Sequence, residues 1–176
     1  MAESNPRPAP KVSPDILKDV ALFGGLDADS LGVLARELPT RLVETGEVVV
    51  REGDTASEMY VVIGGELEVV KMARDGSDVR VALFGPGDWF GEMSIVDVQP
   101  RSASVRSVAP TMLLRIGSEE VQKLLYERDL KAYSIFIMNI ARELSRRLRV
   151  ADGILAQFVT SVADYSLAKK STPPPK

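Results

Sequence analysis

Between Arg41 and Ile116 the chain reverses direction every few residues. Short β-rich runs alternate with glycine-bearing turns: Val48–Arg51, Met59–Ile63, Glu66–Met72, Val79–Phe84, Ala103–Ser107 and Met112–Ile116. The turns carry Gly46, Gly53-Asp54, Gly64-Gly65, Asp75-Gly76 and Gly85-Pro86-Gly87-Asp88. Asp-Gly between two apolar runs is a hairpin signal, because both residues accept the positive φ of a tight turn. Many short strands at this spacing predict two packed sheets, a sandwich or jelly roll.

Helices flank the strands. Residues 1–12, with Pro6, Pro8 and Pro10, read as a disordered lead. Ser13-Pro14-Asp15 is a helix start: a capping hydroxyl, a proline at the first turn and an acid at the positive end. That helix is expected over Pro14 to Val20, broken by Leu22-Phe23-Gly24-Gly25-Leu26. Asp29 or Ser30 is the expected cap of a second helix, which buries Leu31, Leu34, Ala35 and Leu38 and stops at Pro39. After the strands, Ser118 is expected to cap a helix with Glu119 and Glu120 in its first turn and Val121, Leu124 and Leu125 buried. A break near residues 127–129 precedes a long helix from Leu130 to about Leu167. The domain reading is a sandwich domain with flanking helices over 13–130, the long helix over 131–168 and a solvated tail over 169–176.

The stretch Phe90 to Ser107 reads as a phosphate cradle. Gly91 lets backbone approach a ligand closely. Glu92, Met93, Ser94 and Ile95 can form a helical turn after it, whose start favours an anion. Arg101 returns a permanently charged, planar fork to the same place. Ser102 adds a hydroxyl, and Ala103 is small. Glu92 would repel a phosphate, so a sugar hydroxyl is its natural donor. Phosphate and sugar hydroxyl together mean a nucleotide.

Phe90-Gly91-Glu92-Met93-Ser94-Ile95 and Arg101-Ser102-Ala103-Ser104-Val105 resemble the cyclic nucleotide-binding domain family. In that family the glutamate binds the ribose 2′-hydroxyl and the arginine binds the cyclic phosphate, which implies those roles for Glu92 and Arg101. The run from Val49 to Ala56 and on to Gly64-Gly65 is similar to a second family pattern. The resemblance also puts Val81 against the base, although Val81 and Leu83 alternate as core valine and leucine would. The implied fold is α+β and mainly β: a jelly-roll, double-stranded β-helix sandwich with N-terminal helices and a long C-terminal dimerisation helix.

Composition excludes other chemistry. The 176 residues include no Cys and no His. Thiolate metal sites, disulfides and the commonest general base and haem ligand are therefore missing. No catalytic constellation is visible, so no enzyme, cofactor or metal is expected. A net charge of −3 gives no general affinity for nucleic acid. No apolar run has membrane length and no signal peptide is apparent, which makes the cytoplasm the expected location.

Leu144, Leu148, Ala151, Leu155, Phe158, Val162 and Tyr165 repeat at alternating fours and threes, a heptad seam. Ile135 to Ile140 is apolar almost all round and should pack on the sandwich. The narrower part below predicts a parallel homodimer through Leu148, Ala151, Leu155 and Phe158. Arg146-Arg147-Leu148-Arg149-Val150 resembles the dimer helix of the catabolite-activator branch of the family, where this helix caps the base. Arg147 matches a position that reaches the nucleotide there. The next two residues carry hydroxyls in that branch but are Ala151 and Asp152 here. A carboxylate suits the adjacent N1–H and 2-amino donors of guanine, so Asp152 leans toward cyclic GMP, while pairing with Arg149 or Arg147 in solvent is the plain alternative. Ser102 fits either base. The longer family match keeps cyclic AMP first and cyclic GMP a close second. No helix-turn-helix segment follows Leu167, so direct DNA binding is not expected. The sequence thus reads as a cyclic nucleotide-binding regulatory protein whose long helix is the output to an unknown downstream protein. A nucleotide-independent interaction module and a cyclic di-GMP-binding relative are the alternatives.

Overall fold

The computed structural model describes residues 10–97 and 99–171, with side chains through residue 161. Ser13 caps α1 (Pro14–Lys18), its hydroxyl accepting from the Ile16 N–H at 3.4 Å. The helix closes at Asp19, earlier than expected, and a 3₁₀ turn over Ala21–Phe23 buries Leu22 and Phe23. The cap of α2 (Ala28–Glu37) is Asp27, not Asp29 or Ser30: its carboxylate accepts from the Ser30 N–H at 2.9 Å. Leu31, Val33, Leu34 and Ala35 are its buried face, and Leu38 turns extended ahead of Pro39. The end of the expected lead is packed. Val12 is buried, Lys11 Nζ donates to the Arg36 carbonyl at 2.8 Å, and Thr40 Oγ1 donates to the Pro10 carbonyl at 2.8 Å. The rest of that lead lies outside the described residues.

Six strands follow: β1 (Thr40–Val43), β2 (Val48–Val50), β3 (Glu58–Met72), β4 (Asp78–Phe84), β5 (Trp89–Phe90) and β6 (Ser104–Gly117). All pairings are antiparallel, and β3 with β6 is the spine. The first half of β3 and the last half of β6 pair with each other and are flanked by β5 and β1. The other halves pair with each other and are flanked by β4 and β2. Two four-stranded layers thus share two long bent strands.

The bend overturns one expectation. Gly64-Gly65 is not a turn between two strands but lies inside β3, where the register with β6 shifts. Gly65 has φ +92°, and a Cβ there would stand 2.5 Å from the Pro110 carbonyl oxygen. Only glycine lets β3 cross β6 so closely. Opposite it, buried Thr111 accepts from the Glu66 N–H at 3.1 Å and keeps β6 continuous through residues expected to separate two strands. Val43, Val49, Tyr60, Val62, Leu67, Val69, Phe90, Val105 and Leu113 fill the space between the layers. Phe90 stacks on Tyr60 and Phe84 with centroids 5.3 and 5.8 Å away. The architecture is the expected α+β sandwich with N-terminal helices and a long C-terminal helix.

Gly117, not Ser118, precedes α4 (Ser118–Val121), which runs on into a π-helical turn over Gln122–Tyr126. Val121 and Leu125 are buried and Leu124 is half-buried. The break then falls where expected, and Asp129 caps α5 (Leu130–Ser171) by accepting from the Lys131 and Ala132 N–H groups at 2.9 and 3.2 Å. The apolar start of α5 contacts the N-terminal helical segment. Phe136 stacks on Phe23 at 6.3 Å, and the Asn139 amide donates to the carbonyls of Leu22 and Gly24 at 3.0 and 2.9 Å.

The chain divides into two compact units, one ending at Asn139 and one beginning at Ile140. In the second unit α5 carries Leu148, Ile154, Leu155, Phe158 and Val159 more than half exposed. Residues 169–171 of the expected tail are helical. The side chains of Val162 and Tyr165 and residues 172–176 lie outside the described residues.

Candidate functional site

β5 ends at Phe90 because Gly91 turns the chain at φ +83°. A short helical turn, α3 (Met93–Val96), follows, and the chain comes back past it to Arg101. A Cβ at Gly91 would lie 2.3 Å from Arg101 Nη1 and 2.9 Å from the Glu58 carbonyl oxygen. Gly91 is therefore needed both for its backbone angle and for the room it leaves Arg101.

Arg101 is buried, with 6% of its surface exposed. Its Nη2 donates to the Glu58 carbonyl at 2.7 Å. Nη1 reaches the Gly91 carbonyl at 3.4 Å and the Ser94 hydroxyl at 3.3 Å. Nε is buried with no hydrogen-bond partner, and no carboxylate stands within ion-pair distance among the described residues. Burial pushes the guanidinium below its ordinary pKa, against the opposing pull of Tyr60, Glu58, Glu92 and Asp54. The backbone around it is tied down on the far side: Arg101 N–H donates to the Asp54 carbonyl at 2.8 Å, and Gly53 N–H to the Arg101 carbonyl at 2.9 Å.

The other expected residues fall into four groups. Glu92 and Ser94 are buried in the same turn, Glu92 with 3% of its surface exposed, while Met93 is half exposed. Ser102 is exposed, and Ala103 is half-buried against the core. Val81 is 54% exposed on β4, so it is not a core valine, and the bulge between the Val69 and Val70 pairings falls at it. Arg147 and Asp152 belong to the second unit. Arg147 Nε donates to Glu143 at 2.7 Å, and Asp152 is exposed.

Sequence reasoning missed Glu58. Its carbonyl holds Arg101, and its carboxylate takes the Tyr60 hydroxyl at 2.5 Å and Arg115 at 3.4 Å. A carbonyl acceptor leaves no signature in a sequence. The Gly53-Asp54 turn, whose backbone braces Arg101, was visible only as a turn.

A two-layered strand sandwich that carries a Gly-Glu turn over a buried arginine is a specific combination, and the model of the cyclic nucleotide-binding domain matches residues 40–128. The chain belongs to the cyclic nucleotide-binding domain family. It is 34% identical over 136 residues to the cyclic AMP receptor protein of Thermus thermophilus, covering 77% of this chain and 61% of that protein. It is 33% identical over 111 residues to the cAMP-dependent protein kinase regulatory subunit of Pyricularia oryzae, covering 63% of this chain and 28% of that one. The crystal structure of the Thermus thermophilus catabolite activator protein superposes with a TM-score of 0.70 at 32% identity, over 79% of this chain and 63% of that chain. This cyclic nucleotide-binding domain protein thus spans less than two thirds of the length of these relatives. No helix among the described residues is long and apolar enough to cross a membrane.

Proposed function

We propose that this chain is a cyclic AMP-binding regulatory module, with cyclic GMP the close second ligand, acting as a homodimer through α5. The buried Arg101 carries the proposal. A guanidinium removed from water with no carboxylate within ion-pair distance among the described residues is costly, and an anionic ligand would offset that cost. Gly91, Met93, Ser94, Ser102 and Ala103 would surround the phosphate, Glu92 would accept from the ribose hydroxyl, and Val81 completes the set by resemblance. The relatives named for cyclic AMP support the ligand order. Ligand closure would act on α5 only through a difference in affinity between two states of the chain.

Thermal shift and calorimetric titration with cyclic AMP, cyclic GMP and cyclic di-GMP test this reading. A ligand at a hundred times its Kd adds about 2.7 kcal/mol to stability. Arg101→Ala should weaken binding by roughly 2–5 kcal/mol, the cost of breaking a desolvated charge pair. Wild-type affinity in a folded Arg101→Ala protein would sink the assignment. Glu92→Gln should be milder, because its amide oxygen still accepts. No shift with any of the three ligands would favour an interaction module that has kept the fold.

A further inference from the structure

Two residues of the second unit were candidates for the nucleotide because of where they stand in the sequence. Their place on the helix gives another use. With Leu148 and Leu155 at position a and Ala151 and Phe158 at position d, Arg147 falls at g and Asp152 at the following e. In two parallel helices in register, g of one chain lies beside the following e of the other. The next such pair is Ile154 with Val159, which are 63% and 59% exposed in the single chain. Gly153 falls at f, the side away from the seam, and has nothing within 4 Å of where a Cβ would be. The least favourable helix residue therefore sits where a partner would not need a side chain.

We infer that in a parallel homodimer through α5 Arg147 of one chain and Asp152 of the partner subunit form a reciprocal ion pair that fixes the register. The inference rests on the homodimer reading above. Asp152 is exposed and takes no ion pair among the described residues. Arg147 already donates to Glu143 through Nε, and a guanidinium carries five N–H donors, enough for more than one carboxylate. Charge and apolar matching agree: the g–e pair nearer the sandwich is cation with anion, and the next is isoleucine with valine. An antiparallel pair would set g beside g and e beside e, and would join neither set. In the parallel pair the apolar stripe widens from a and d to take in Ile154 and Val159. That accounts for five of the six large apolar side chains more than half exposed between Leu148 and Val159; the sixth, Val150, falls at position c. Asp152 is then a contact between subunits and not the reader of a guanine edge.

The test is mixing. Arg147→Glu and Asp152→Lys are made separately, and self-association is measured by sedimentation for wild type, each variant and an equimolar mixture. Each variant alone sets like charges against each other twice per dimer, and its dimer should dissociate about tenfold more readily than wild type. In the mixed dimer both contacts are attractive again, Glu with Lys and Arg with Asp, and association should return to near the wild-type level. Neither chain regains anything within its own helix on mixing, so recovery cannot come from the contact with Glu143. Recovery should fade at high salt. The chain has no cysteine, so Ala151→Cys supplies a single thiol. Oxidation should cross-link it in a parallel dimer, because position d faces its own copy. A wild-type dimer with no loss in the single variants, or with no recovery in the mixture, overturns the ion pair and leaves the homodimer standing. A monomeric wild type overturns both.

Discussion

Gly91 and Arg101 are one device at the residue scale. The glycine gives the turn and the space, and the arginine fills the space with charge. Gly91→Ala would force a left-handed alanine, at about 1–2 kcal/mol, and would drive its Cβ into Arg101 Nη1. The expected outcome is a lower melting temperature and loss of nucleotide binding together. Binding at wild-type strength in that variant would show that Arg101 is not held by Gly91. Both residues were legible in the sequence because only glycine and arginine can do these jobs. Their acceptor was not: the Glu58 carbonyl is a main-chain atom on a strand far away in sequence. The structure also gives Arg101 a second role, since its removal would leave the Glu58 and Gly91 carbonyls without that donor.

At the scale of elements, the caps were harder to read than the helices. The second helix was legible from its apolar spacing, but three acidic or hydroxyl residues compete for its start, and the carboxylate of Asp27 wins because it meets the Ser30 N–H. That backbone hydrogen bond, with the Ser30 side chain next, holds the Asp27 carboxyl below the ordinary carboxylate range. A depressed carboxylate contributes stability that is complete above its unfolded pKa and is lost as pH falls through its lower, folded one. Melting temperature measured from pH 6 down to pH 2 should therefore fall less steeply in Asp27→Asn than in wild type, because the amide keeps an acceptor that does not titrate. Parallel curves would remove Asp27 from the acid response. The outer edges of β2, β3, β4 and β6 were legible to within about a residue, whereas the short flanking strands β1 and β5 were not read as strands. Gly64-Gly65 was misread because two glycines mark a turn and a close strand crossing alike, and only Thr111 and Pro110 on the partner strand distinguish them.

At the scale of the whole molecule, the apolar stripe of α5 is the seam of the proposed dimer. Replacing Leu148 and Leu155 together by Asp puts four carboxylates where two seams would meet. Sedimentation should show a monomer that still binds nucleotide with its first unit, while an unchanged dimer would place the interface elsewhere. The sandwich itself has a different consequence, which follows from β3 and β6. Each long strand belongs to both layers, and they meet at the crossing of Gly65 with Pro110. Each layer takes its own half of the same two strands, so the layers are continuous with each other through the crossing. All partners of that crossing are distant along the chain, so the loop between them must close before any of its contacts form, which makes folding slow. The two layers should unfold in a single cooperative step, and hydrogen exchange in one should report the opening of the other.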